Sequence, residues 1–113
     1  MTESERASRL GDMTTHQFTS ATVADPAALA AIITSAARDG RALVDQELEE
    51  GLRSLAVPVH DGHVVAAVNV ALHAGRGTPA ETRAILLPPL RETAAAITAD
   101  LATVRRWSGP PIP

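Results

Sequence analysis

The 113-residue sequence predicts an α/β chain of the α+β type, with an antiparallel sheet built on a β-hairpin and packed against helices. Three observations lead there. Gly51–Leu72 (GLRSLAVPVHDGHVVAAVNVAL) places two β-rich runs on either side of Asp61-Gly62, and Asp-Gly suits a tight turn that needs positive φ at both central residues. Asp25-Pro26 opens a run with apolar residues at helical spacing. Thr78-Pro79-Ala80-Glu81 opens another, with the form of a capping box.

In chain order, Met1–Leu10 mixes charges with Ser and Thr, so residues 1–13 are expected to be a flexible lead. His16–Val23 (HQFTSATV) carries enough Phe, Thr and Val for a short extended piece. Asp25 is a favoured N-cap, and Pro26 fits the first helical position because its missing N–H would be unpaired anyway. Leu29, Ile32, Ile33 and Ala36 then form one stripe, and Gly40 is suited to a left-handed C-cap. Arg41–Asp45 reads as a short strand. Gln46–Glu50 (QELEE) reads as a solvated acidic link rather than a cation site.

A two-residue turn would pair residues whose numbers sum to 123, so Ser54 faces Asn69, Val57 faces Ala66 and His60 faces His63. One face of the hairpin is then dry: Leu55, Val57, Val59, Val64, Ala66, Val68 and Val70. The other carries Leu52, Ser54, Ala56, Pro58, His60, His63, Val65, Ala67, Asn69 and Ala71. Its small side chains leave room around a polar pair, which reads as a pocket floor in preference to plain surface. Pro58 cannot donate to a ladder, so it marks an edge or a bulge. Leu72–Gly77 is expected to be a flexible loop. In the helix that begins at Thr78, Pro88-Pro89 predicts a break or sharp kink, with a second helix to about Val104. Its stripe is Leu86, Leu90, Ala94, Ile97, Leu101 and Val104. Residues 105–113, with SGPPIP at the end, read as a disordered tail.

Composition narrows the function. Aromatic content is 2% and the apolar residues are mostly Ala and Val, so a buried core would be thin. Net charge is -3 and no basic stripe is visible, which disfavours nucleic-acid binding. There is no Cys, no apolar run of membrane-spanning length and no signal-peptide pattern, so the default expectation is a soluble cytoplasmic protein. His60-x-x-His63 is the only metal-like spacing, and without further ligands nearby it reads as two exposed imidazoles. Ser54 has no base within reach, and no nucleophile elbow, P-loop or dinucleotide fingerprint occurs. The chain is therefore expected to have no catalytic residues, no cofactor and no metal.

The run Ala42–Val59 (ALVDQELEEGLRSLAVPV), with VVAAVNVALHAGRG after it, resembles the IclR family of bacterial transcriptional regulators, in the C-terminal half of their effector-binding domain. VADPAALAAIITSAARDGRAL before it and TPAETRAILLPPLRETAAAITADL after it fit the same pattern, so the resemblance covers about Thr14–Leu101, within an expected domain of 14–104. The PcaR/PobR-like subgroup is the most similar, and its members control aromatic-acid catabolism, including the protocatechuate and 4-hydroxybenzoate branches. The resemblance implies a partial GAF-like domain, a small aromatic or dicarboxylic acid effector and homo-oligomers. It places pocket positions on Leu52, Ser54, Asn69 and Ala71, with Val44 where the family often has Asp. The position matching Ala71 is often Ser. The family's winged helix, linker helix and first half of the effector domain have no counterpart here, so a fragment, a truncated reading frame or a start codon placed too far downstream is expected. Direct DNA binding by this chain is not. The alternative reading is a domain that acts only by association, through an exposed sheet edge.

Overall fold

A computed structural model describes residues 1–106, 109 and 110. The elements run α1 (Glu3–Gly11), α2 (Pro26–Asp39), β1 (Ala42–Asp45), β2 (Leu52–His60), β3 (Val64–His73) and α3 (Pro79–Arg105). The strands form one antiparallel sheet in the order β1-β2-β3. Helix α3 covers one face, where Leu55, Val57 and Val59 of β2 meet Leu90 and Ala94. Leu43, Val68, Val70, Leu86, Leu87 and Leu101 complete this α+β core.

Several elements follow their local signals. The Asp25 carboxylate accepts from Ala28 N–H at 3.0 Å, Pro26 starts α2, and Gly40 ends it at φ 65°. The Thr78 hydroxyl accepts from Glu81 N–H at 3.1 Å at the start of α3. Strand β1 falls where Arg41–Asp45 predicts it.

Others depart. The lead is not featureless: α1 forms there, closed by a full capping box in which Thr2 and Glu5 exchange hydrogen bonds. His16–Val23 forms no strand. It is a loop held by hydroxyls, with Thr19 Oγ1 donating to Gln46 O at 2.6 Å and Thr15 Oγ1 to Ala24 O at 2.8 Å. Leu72 and His73 remain in β3, and Ala74–Arg76 is a 3-10 turn rather than a free loop. Helix α3 runs unbroken through Pro88 and Pro89, to Arg105. Thr82 and Leu86 before the prolines share one stripe with Leu90 and Ala94 after them, so a break would lift half the helix off the sheet. Packing on both sides outweighs the backbone cost. Ile97 and Val104, placed on the same stripe by spacing, are 37% and 54% exposed. Of the expected tail, Arg105 is helical and Arg106 caps α3, while 107, 108 and 111–113 lie outside the described residues.

The hairpin is the main correction. His60 pairs with Val64, leaving Asp61-Gly62-His63 as a three-residue loop with Gly62 at φ 78°. A bulge follows, in which Val59 pairs with Ala66 and Val65 is the extra residue on β3. The ladder beyond it is displaced by two: Ser54 opposes Ala71, Ala56 opposes Asn69, and Val57 opposes Val68. An even displacement keeps every side chain from Ala66 to His73 on its predicted face. Val64, beyond the bulge, leaves the dry face and is 58% exposed.

Pro58 also finds its explanation. Gln46 N–H donates to Leu52 O at 2.8 Å, so alternate residues of β2 from Leu52 onward bond toward β1. The β1 ladder ends at Ala42 opposite Ala56, and Pro58 is the next in that series, where no N–H is called for. Both predicted contexts hold, an edge on one side and a bulge directly after.

Candidate effector site

The face of the sheet opposite α3 gathers every predicted pocket residue. Val44 opposes Ser54 and Ser54 opposes Ala71, so these side chains form one row across all three strands. The neighbouring row is Ala42, Ala56 and Asn69, and on the other side Leu52 opposes His73. Ser54 and Asn69 are therefore diagonal neighbours, not a direct cross-strand pair. Diagonal side chains on one face remain within reach of a shared small ligand. Leu52 and Ser54 are half-buried, Val44 is 39% exposed, and Asn69 and Ala71 are exposed. The row is flat, small and lightly polar, with one hydroxyl and one amide to orient a guest.

Two concavities touch this face. Val44 lines a groove of about 550 Å³ between α2 and the edge of β1, where Leu29, Ile32, Ile33 and Ala36 present the apolar stripe of α2. Asp39 sits at its rim, with its carboxyl held below the usual carboxylate value by the hydrogen bond from Arg38. Leu52 and Ala71 line a shallower groove beside Glu49 and Glu50.

Behind the face lies an arrangement that strand alternation signals and that pocket reasoning misses. Arg53 falls on the dry side, between Leu55 and the acidic loop, and is 4% exposed. Its Nε donates to Asp45 Oδ1 at 2.9 Å, and its Nη1 to Gly77 O at 2.6 Å and Thr82 Oγ1 at 3.2 Å. Asp45 opposes Arg53 in the β1–β2 ladder, so one guanidinium joins β1, β2, the turn before α3 and the first turn of α3. Arg53 is flanked in sequence by Leu52 and Ser54, which point to the open face. The site is thus anchored directly to α3.

His60 and His63 lie exposed at the hairpin tip, and among the described residues no group of three potential metal ligands forms. Among the described residues, no helix is long and apolar enough to cross a membrane.

The model of the C-terminal region of IclR-type bacterial transcriptional regulators matches residues 1–99. The chain is 50% identical over 74 residues to the Pca regulon regulatory protein of Pseudomonas putida, a match covering 64% of this chain and 25% of that protein. A transcriptional regulator from Rhodococcus sp. RHA1 shares the fold at a TM-score of 0.88 with 38% identity, over 94% of this chain and 43% of that one. The inducer-binding domain of PobR from Acinetobacter, solved as a double mutant with 3-hydroxybenzoic acid, has a TM-score of 0.79 at 23% identity over 87% of this chain and 57% of that one, a likeness of fold. The chain spans a quarter of the curated relative and less than half of the Rhodococcus protein. These relatives regulate transcription and are not enzymes. The chain belongs to the IclR family of bacterial transcriptional regulators and carries the C-terminal part of its effector-binding domain.

Proposed function

We propose that this chain senses a small aromatic or dicarboxylic acid for an IclR-type regulator of aromatic-acid catabolism, in the cytoplasm and as a homo-oligomer, with DNA contacts left to other parts of such a regulator. The observation that carries the reading is the row Val44–Ser54–Ala71, flanked by Leu52 and Asn69, on the sheet face opposite α3. The Ser54 hydroxyl and Asn69 amide supply hydrogen bonds to a carboxylate or ring hydroxyl. Ala56, Ala67 and Ala71 leave room for a flat ring. The apolar Val44 removes the acid common at this position, which favours an anion. Sensing works by population shift: a ligand that prefers one arrangement of the assembly enriches it by its difference in affinity.

Two-dimensional NMR of the 15N-labelled chain with protocatechuate and 3-hydroxybenzoate tests this. Saturable shifts at Ser54, Asn69 and Ala71, lost in Ser54→Leu, are expected. Titrations with both acids that leave these amides unmoved overturn it.

A further inference from the structure

We infer that Arg53 is a positioning residue that couples the open face of the sheet to the first turn of α3, with Gly77 as the hinge. The inference rests on the sensing reading above, because it names how a ligand at Ser54 is felt elsewhere in the chain.

Arg53 lies between Leu52 and Ser54 in β2. Its backbone is continuous with two residues of the open face, while its own side chain enters the opposite one. Among the described residues, Arg53 and Thr82 are the buried polar ones, at 4% and 5% exposure, and they bond to each other. Among the described residues that bond is also the one hydrogen bond that joins a strand to α3. The rest of the interface is apolar, with Leu55, Val57 and Val59 against Leu90 and Ala94. Apolar contact is non-directional, whereas a guanidinium fork fixes the direction of its partners. A displacement of β2 at Ser54 is therefore passed to α3 at Thr82, and not evenly along the helix.

The receiving end is built to respond. Thr82 Oγ1 donates to Thr78 O at 3.0 Å, and so meets Arg53 Nη1 as an acceptor. Thr78 is the N-cap, its hydroxyl accepting from Glu81 N–H. The guanidinium thus holds this cap from both sides, by the Gly77 carbonyl before it and the Thr82 hydroxyl after it. Gly77 has φ 143° and ψ -173°, a conformation that a residue with a Cβ rarely adopts. A helix entered through such a residue has two states. It is clamped when both bonds to Arg53 are made, and released when the first turn opens about Gly77. A ligand that fits one position of β2 better than the other shifts that balance by its difference in affinity. Asp45 accepts from Arg53 Nε at 2.9 Å, which brings β1 into the same linkage.

The test reads backbone amides of the 15N-labelled chain. Ser54→Leu alters the face opposite α3. It is expected to shift the amides of Gly77, Glu81 and Thr82, and to leave those of Leu90 and Ala94 in place. Arg53→Lys keeps a charge beside Asp45 but not the fork that spans Gly77 and Thr82. In that background Ser54→Leu is expected to move none of the three. Should Arg53→Lys fail to fold, Thr82→Val decides: there Ser54→Leu is expected to shift Gly77 still, and Glu81 no longer. Protocatechuate or 3-hydroxybenzoate, added to the unsubstituted chain, is expected to move the same three amides with the midpoint seen at Ser54. The inference is overturned if Ser54→Leu leaves Gly77 and Thr82 unmoved, shifts Leu90 and Ala94 as much, or acts equally in the Arg53→Lys chain. Acids that shift Ser54 but not the first turn of α3 overturn it as well, and leave the sensing reading standing. Acids that shift nothing, while the variants behave as stated, sink the sensing reading and leave the linkage standing.

Discussion

At residue scale, Arg53 is the position whose loss is felt in most directions. It is buried, and it satisfies Asp45, the Gly77 carbonyl and the Thr82 hydroxyl together. Arg53→Met keeps the apolar stem and takes a hydrogen bond from all three partners, of which Thr82 keeps its bond to the Thr78 carbonyl. Removing one member of a buried charged network costs about 3–5 kcal/mol, and the partly exposed Asp45 carboxylate reduces this to about 2–3 kcal/mol, measurable by urea unfolding. Thr82→Val, which leaves the guanidinium its other partners, is expected to cost about 1 kcal/mol. Asp39 offers a smaller test. Arg38 donates to it at 3.0 Å and holds its carboxyl down, so Arg38→Ala is expected to let that pKa rise toward the ordinary value in an NMR titration. Arg53 was legible in part, since alternation from Leu55 puts it on the dry face. Its partners were not, because Gly77 and Thr82 reach it only after α3 has folded back over the sheet.

Among the elements, local signals succeeded where the backbone alone decides and failed where packing does. Asp25-Pro26 and Gly40 bounded α2 because caps act within a turn. Pro88-Pro89 was misleading because the prolines' local cost competes with contacts made on both sides by a stripe from Thr82 to Ala94. Each of these prolines leaves the helix one backbone donor short, a cost that substitution can remove. Pro89→Ala is expected to stabilise the chain by about 1–3 kcal/mol, up to the ordinary cost of an interior helical proline, with little change in helix content by circular dichroism. A loss of stability would show that the prolines shape α3 to the sheet. The hairpin tells a related story. Asp61-Gly62 located the turn correctly, yet a dipeptide cannot show that the loop takes a third residue and a bulge. The predicted faces of Ser54, Asn69 and Ala71 survived that error because a displacement of two preserves faces. Gly62, at φ 78° with nothing within 4 Å of a Cβ, is expected to lose about 1 kcal/mol as Ala, from strain alone.

For the whole molecule, the low aromatic content foretold a thin core, and the structure shows where it is thin. The radius of gyration is 16.6 Å, against about 13 Å for a compact domain of this length. Among the described residues the buried apolar ones all belong to β2 and α3, with Leu55 at 0% exposure. Neither α1 nor α2 buries a residue, and the stripe of α2 lines an open groove, with Ile32 46% exposed. Apolar area removed from water is the main favourable term in folding, so stability must divide along the same line. Native-state hydrogen exchange is expected to show β2 and the middle of α3 opening only by global unfolding. Amides of α1 and α2 should exchange through local opening at a clearly lower free energy. Leu90→Ala, costing about 2–4 kcal/mol, is then expected to lower the protection of β2 and α3 while leaving that of α1 and α2 nearly unchanged. Equal protection in all three helices would mean that α2 is held by contacts beyond those of this single chain. The groove between α2 and β1 would be the place to look for them, since it presents the α2 stripe beside Val44 at the sheet's edge.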